Sequence, residues 1–157
     1  MATTIEAATL TVTLTEAITL NGQDKGATNA LTVASVTEVS QRIINVPASE
    51  VVILAFSGTA VAAGQFVEST IRYIRITNKD DTNHVTLVFR SESGDECVHK
   101  LDYGQSFIYA GDNSGGVVNT HDANAGAIGS ITLDDLVDIT ATADTAACDL
   151  ELFVAGV

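Results

Sequence analysis

Alternation of apolar and polar residues constrains this chain more than any other feature of its sequence. Near the N-terminus, Leu10, Val12 and Leu14 are separated by threonines, and the pattern returns at 71–78 and 85–89. A period of two places successive side chains on opposite faces of a β-strand. The apolar residues are mainly valine, isoleucine, leucine and alanine, and β-branched residues suit a pleated surface. The sequence therefore predicts an all-β protein.

Turn residues divide the chain into short segments. Asn21-Gly22 is a strong turn signal, Pro47 ends a strand because proline cannot donate to a ladder, and Lys79–Asn83 forms a polar turn. The predicted strands are 8–20, 30–46 (one long or bent strand), 51–56, 71–78, 85–89, 97–101, 106–110, 131–133, 136–141 and 148–154.

Three of these segments carry more detailed expectations. The continuous apolar run Val51–Phe56 predicts a strand covered on both faces. The strands at 71–78 and 85–89 flank a short loop, which predicts an antiparallel hairpin. Leu133–Val137 is read as part of the strand region, with one helical turn as the alternative.

Eight to ten short strands with regularly spaced turns favour one antiparallel β-sandwich over residues 1–157. We expect it to be jelly-roll-like, and the alternative is a closed β-barrel. The segment Gly111–Gly129 is rich in glycine and asparagine, so we expect a loop that contacts a partner, with Val117-Val118 as a short edge strand.

The charge balance bears on the class of partner. The net charge is −13, and nine acidic residues but no lysine or arginine follow position 100. Phosphate recognition depends on clustered basic side chains, so we expect no direct binding of nucleic acid or of anionic membranes. The first twenty residues lack the basic start and the continuous apolar stretch of a secretory signal. The six residues of Val51–Phe56 fall short of the roughly 20 needed to cross a bilayer.

The histidines and aspartates do not predict a metal centre. His84, His99 and His121 stand singly, and a zinc site needs three or four converging ligands. Two aspartate pairs, 80–81 and 134–135, lie near turns without the spacing of a calcium loop, so we expect them to face water or cap backbone N–H groups. We predict no metal and no cofactor.

The best catalytic candidate is the pair of Cys97 and His99, which share a face of a strand. Two residues do not make an oriented nucleophile, and Cys97 is expected to be a small core side chain. We therefore predict that the chain is not an enzyme. Without a secretory signal, we expect Cys97 and Cys148 to be reduced, with a disulfide between them as the alternative.

Arg72, Arg75 and Arg90 lie on neighbouring predicted strands. Arginines on a sheet face are suited to pairing with carboxylates across a subunit boundary, which makes them interface candidates. The alternative is pairing within the chain, with Glu68, Glu92 or the acidic C-terminal third.

Several stretches resemble small β-domains among the virion structural proteins of tailed phages, especially marine phages and cyanophages. The residues concerned are IRYIRITNKDDTNHVTLVFR at 71–90, KLDYGQSF at 100–107, and the terminal stretches LTEAITLNG and CDLELFVAG. The resemblance implies a particle component that assembles in the host cytoplasm. Within that class we favour a capsid decoration or cement protein, present as a dimer or trimer and bound to the major capsid protein.

Residues 1–20 are expected to act as an arm or exchanged strand in such a particle. The strand Thr9–Leu20 would add to the edge of a neighbour's sheet, which makes Leu10, Val12 and Leu14 interface candidates. The alternatives are a tail tube, adaptor or fibre-base subunit, and a glycan-binding module. The last of these is disfavoured because the chain contains no tryptophan to stack on sugar rings.

Overall fold

The computed structural model describes residues 4–59, 62, 64–111, 113–122 and 131–157, and these contain strands and no helix. The strands are β1 (Ala8–Glu16), β2 (Thr19–Leu20), β3 (Gln23–Asp24), β4 (Ala27–Val36), β5 (Glu38–Val46), β6 (Val51–Ser57), β7 (Gln65–Val67), β8 (Ile71–Asn78), β9 (Val85–Ser91), β10 (Glu96–Leu101), β11 (Ser106–Ala110), β12 (Leu136–Ala143) and β13 (Cys148–Gly156). Accordingly, no helix long and apolar enough to cross a membrane is found among these residues.

Two mainly antiparallel sheets form the body of the molecule. One has the order β10-β9-β12-β6-β7 and the other the order β11-β8-β13-β5. From β5 onward, the chain changes sheet at every connection except those from β6 to β7 and from β9 to β10. That order is the one expected of a jelly roll, in which two sheets exchange strands in Greek-key fashion. The predicted sandwich is confirmed, and the sheets do not close into a barrel.

The core lies between the two sheets and consists of the alternating apolar residues. Val85, Leu87 and Phe89 of β9 are buried, as are Ile74 and Ile76 of β8. The inward side chains of β13 complete this layer, which includes Leu150, Leu152 and Val154. The period-two pattern in the sequence therefore identifies the inward face of each of these strands.

The predicted hairpin of 71–78 with 85–89 is wrong. β8 pairs with β11 and β13, whereas β9 pairs with β10 and β12, so the two strands belong to opposite sheets. The loop between them crosses from one sheet to the other. Asn78 supports this crossing, because its buried amide donates to the carbonyl oxygens of Asn83 (2.9 Å) and Leu101 (3.3 Å).

The predicted strand 30–46 is two strands. Ser35 has a φ of +60°, the chain bends, and β4 ends at Val36 while β5 begins at Glu38. β5 joins the sandwich through β13, but β4 pairs with β1 in a separate two-stranded ribbon. As predicted, β5 ends immediately before Pro47.

Other expectations are corrected in detail. Val51–Phe56 is a strand, and the buried Ile53 and Leu54 show that both of its faces are covered, except at Val52 near its start, which is 58% exposed. Leu133–Val137 contains no helical turn, since β12 begins at Leu136, and residues 131–133 are not a strand. Val117 is buried in a turn instead of lying on an edge strand. The predicted partner loop 111–129 falls partly outside the described residues, at 112 and 123–129.

Candidate interaction surface

The ribbon of β1 and β4 is the part of the molecule that stands apart from the two main sheets. Its strands pair antiparallel from Ala8 opposite Val36 to Glu16 opposite Ala27. Beyond that pairing, β2 and β3 form a small tip that turns at Asn21 and Gly22, whose φ values are +52° and +77°. Left-handed values at two consecutive residues are those of a type I′ hairpin turn, and an asparagine followed by glycine suits it.

One face of the ribbon carries apolar side chains as far as Leu14, and exposed apolar side chains follow toward the tip. At the base, Val33 and Val36 are buried against Tyr73 of β8 and Ala155 of β13. In the middle, the half-buried Leu10, Val12 and Leu31 pack on the same cluster. Toward the tip, the apolar side chains lie outside this cluster and are about half exposed: Leu14 (52%), Ile18 (55%) and Leu20 (57%).

We define the tip surface as Leu14, Ile18 and Leu20. A two-stranded ribbon alone is marginally stable in water, so the buried base anchors it to the sandwich. Burying the rest of such side chains is worth roughly 1 kcal/mol each, taking half of the usual value for a fully buried aliphatic residue. Contact with a partner would therefore gain this free energy of burial, because no described part of the chain covers the tip surface.

Alongside the middle of the ribbon lies a cleft of about 380 Å³ that opens toward β11. Leu10 and Val12 form one wall, and Tyr73, Phe153 and the 44% exposed Ile108 form the other. The interface candidates Leu10 and Val12 thus lie at the junction of ribbon and sandwich, and Leu14 lies on the tip surface.

The three interface arginines have partners within the chain. Arg75 donates to Glu151 at 2.8 Å, and this hydrogen bond is the first cause that holds the pKa of Glu151 below its usual range. Arg72 donates to the backbone carbonyl oxygens of Ser69 (2.7 Å) and Ser114 (3.2 Å), and not to Glu68 or Glu92.

Arg90 is the most heavily bonded of the three. It bonds Glu96 at 2.7 Å and also Glu50, and these two hydrogen bonds, followed by the charges of Glu50 and of Asp138 at 3.4 Å, raise the pKa of the guanidinium. The pKa of Glu50 is lowered first by the hydroxyl of Thr140, at 2.6 Å, and then by Arg90. These bonds hold β9, β10 and β12 to the connection that precedes β6.

The candidate catalytic pair lies on the edge strand β10. Cys97 is exposed, so the expectation of a core side chain is wrong. The reason is that β10 lies at the edge of its sheet and has a neighbouring strand, β9, on one side only. The ring of His99 packs 4.9 Å from that of Phe107. Cys148 is the buried cysteine, and burial followed by the nearby Asp80 raises the pKa of its thiol. Both cysteines are free, so no disulfide joins them.

The aspartate pairs make hydrogen bonds within the chain. Asp80 accepts the N–H groups of Thr82 (2.8 Å) and Asn83 (2.7 Å), and the bond from Asn83 is the main cause of its lowered pKa. Asp135 accepts the N–H of Asn119 at 2.8 Å. In the described residues, no three histidine, cysteine or acidic side chains are arranged to hold a metal ion.

Sequence reasoning missed one acidic cleft of about 470 Å³ beside β7. Glu68, Glu92 and Asp135 line it, and burial followed by the charges of Asp135 and Glu92 raises the pKa of Glu68. These residues are far apart in sequence. They lie at the ends of β7, β9 and β12, and the strand order of this one sheet brings those ends together, which no local spacing signals.

Comparison with known proteins adds little to this description. No protein-family model and no curated protein matches the chain. A solved structure described as "Bacillus endospore appendages form a novel family of disulfide-linked pili" is similar over 99% of this chain and 96% of that chain, with 12% identity and a TM-score of 0.42. Nothing about the assembly or function of this chain follows from a likeness at that level.

Proposed function

We propose that this chain is a non-catalytic structural subunit that works in many copies. The observation that carries the proposal is the set of apolar side chains of the ribbon, which are buried at its base and exposed at the tip surface. Exposed apolar groups that cluster on one projecting element are typical of contact sites between proteins. The charge of −13 favours solubility of the separate copies before they assemble.

Within that class, we propose a decoration protein that binds the major capsid protein of a tailed phage and is assembled in the host cytoplasm. The support is the sequence resemblance at 71–90 and 100–107, together with a jelly-roll fold of the kind that occurs in viral capsid proteins. Fold alone does not assign function, so this finer proposal depends on the resemblance. A symmetric shell suits such a subunit, because many modest contacts repeated by symmetry add up to strong attachment.

A glycan-binding role is less well supported. Sugar rings stack on exposed aromatic side chains, and among the described residues the large aromatic that is mostly exposed is Tyr103, on a turn. One such side chain does not form a platform.

Copy number in purified particles tests the finer proposal. A tagged chain would be produced during infection, and its copies per particle would be counted by quantitative mass spectrometry. Hundreds of copies on the icosahedral shell are expected for a decoration protein. Six or twelve copies at the tail would favour a tail component, and absence from particles would contradict the phage assignment.

The tip surface is tested by the double substitution Ile18→Lys and Leu20→Lys. Both side chains are more than half exposed, so we expect the fold to persist while binding to shells falls at least tenfold. Val98→Lys is the matched control, because Val98 is equally exposed but lies on β10. Unchanged binding by the double variant would exclude the ribbon as the contact.

A further inference from the structure

β5 is an unusually open edge of the sandwich. Its nine residues pair with β13 from Glu38 opposite Gly156 to Val46 opposite Cys148, without a register shift, and no described residue pairs with its other side. Long regular edges are normally blunted by lysine, proline, bulges or short length. The other edges are shorter: β7 has three residues, β11 five, and β10 six with a lysine at position 100.

The hydrogen-bonding pattern identifies which backbone groups of β5 point away from β13. The N–H of Lys79 donates to the carbonyl of Asp149 at 2.8 Å, so the backbone of Asp149 points toward β8. Backbone groups along a strand point alternately to its two neighbours. Asn45, the partner of Asp149 on β5, therefore points its N–H and C=O away from β13. The same holds at every second residue: Val39, Gln41 and Ile43.

Two of these residues, Val39 and Ile43, are apolar and lie on the open edge. Val39 is 59% exposed and Ile43 is 65% exposed. They are four residues apart with Gln41 midway between them. An antiparallel second copy of β5 centred on Gln41 would set each Val39 opposite an Ile43, and each pair would be joined by backbone hydrogen bonds.

Charge supports the same register. With Gln41 opposite Gln41, each Glu38 is diagonal to the Arg42 of the other copy, which is within reach of long side chains. A register centred on Arg42 would instead set two guanidinium groups directly opposite each other. In the single chain, Arg42 is exposed and one of its nitrogens donates to the carbonyl of Ile53 at 2.6 Å, so its remaining N–H groups can meet Glu38 of the other copy.

We propose that two copies of this chain pair through β5, antiparallel about Gln41, into one continuous eight-stranded sheet. The contact is isologous, as expected for a two-fold dimer. It uses a surface separate from the ribbon, so this proposal does not depend on the proposed function.

Sedimentation velocity of the full chain at tens of micromolar tests the contact. We expect a dimer for the natural sequence and a monomer for the double variant Val39→Lys and Ile43→Lys. Val52→Lys and Val98→Lys are matched controls, because these exposed valines lie on β6 and β10. Both controls should remain dimeric. A monomeric natural protein, or a dimer that survives the double variant but not Val98→Lys, would overturn the proposal.

A cross-link tests the register and does not depend on how the lysine variants fold. Directly opposed residues in a hydrogen-bonded pair have Cα atoms about 5.5 Å apart, which suits a disulfide. Gln41→Cys in a Cys97→Ala background should form a covalent dimer on mild oxidation. Asn45→Cys should not, since its two copies would lie about 27 Å apart at 3.4 Å per residue. Failure of Gln41→Cys to cross-link, or equal cross-linking of Asn45→Cys, would refute the register.

Discussion

Asn78 is the side chain on which the crossing between the sheets most depends. It is fully buried, its amide donates to two backbone carbonyls, and its side-chain oxygen accepts the N–H of Asp80 at 3.0 Å. Removing one partner of a buried hydrogen bond costs about 1–3 kcal/mol per group left unpaired.

We therefore expect Asn78→Ala to lower the free energy of unfolding by roughly 2–4 kcal/mol, summing the groups that lose their partner. Urea denaturation followed by circular dichroism measures the change. Asn29→Ala, at an exposed ribbon position, should change stability by less than about 0.5 kcal/mol. Equal effects of the two substitutions would show that Asn78 does not fix the crossing.

Glu68 gives a prediction with a defined pH dependence. Its pKa is raised in the folded state, by burial and then by Asp135 and Glu92, so its ionised form is less favourable in the folded than in the unfolded chain. The folded state therefore loses stability as pH rises through the range where Glu68 ionises. Below the unfolded value near 4.5, both states are protonated and this penalty vanishes.

Glu68→Gln should accordingly raise the melting temperature at pH 7 and lose that advantage at pH 3. Thermal unfolding at the two pH values measures the difference, with Glu16→Gln on the exposed ribbon as the control. A gain that is the same at both pH values would mean that packing, and not charge, causes it.

At the scale of the strand, the direction of the backbone N–H groups in β5 predicts how proline substitutions affect folding stability. Ser40 pairs with Val154, and its N–H points toward β13, whereas the N–H of Gln41 points to the open edge. Proline removes the N–H group and is tolerated only where that group faces away from the ladder.

Ser40→Pro should thus cost about 1–3 kcal/mol or more of folding stability, the cost of an unpaired ladder group. Gln41→Pro should cost clearly less in the monomer. Urea unfolding at low protein concentration compares the two variants. A larger loss for Gln41→Pro would reverse the assignment of the open edge and with it the proposed dimer register.

The main strands of the sandwich were predictable from sequence because alternation determines which side chains face inward. The residues of β8, β9 and β13 show this, since their alternating apolar side chains are the ones that are buried. Which strands pair with each other was not predictable. Two consecutive strands show the same alternation of apolar and polar residues whether they pair as a hairpin or lie in opposite sheets. The acidic cleft was missed for the same reason, since the order in which β9, β12 and β7 lie in their sheet brings Glu68, Glu92 and Asp135 together.

The break between β4 and β5 escaped prediction for a different reason. Residues 30–46 contain no proline or glycine, and the bend depends on a single serine with positive φ. Serine is not a recognised signal for such a bend. The turn at Asn21-Gly22 was predicted from the sequence. The ribbon and its tip surface were not, and only the structure shows them.

At the scale of the whole molecule, the two proposed contact surfaces lie on different elements. The tip surface is apolar and projects from the sandwich, whereas the β5 edge offers backbone groups and the Val39–Ile43 pair. The isologous β5 contact alone would close at a dimer, so an extended assembly needs a second contact such as the tip surface.

Hydrogen–deuterium exchange of the natural protein at low and high concentration tests this account most directly. Association through the two surfaces predicts that amides in residues 14–20 and 39–45 become protected as concentration rises, while those of β10 do not change. No gain in protection at any concentration, or a gain confined to β10 and the acidic cleft, would contradict it.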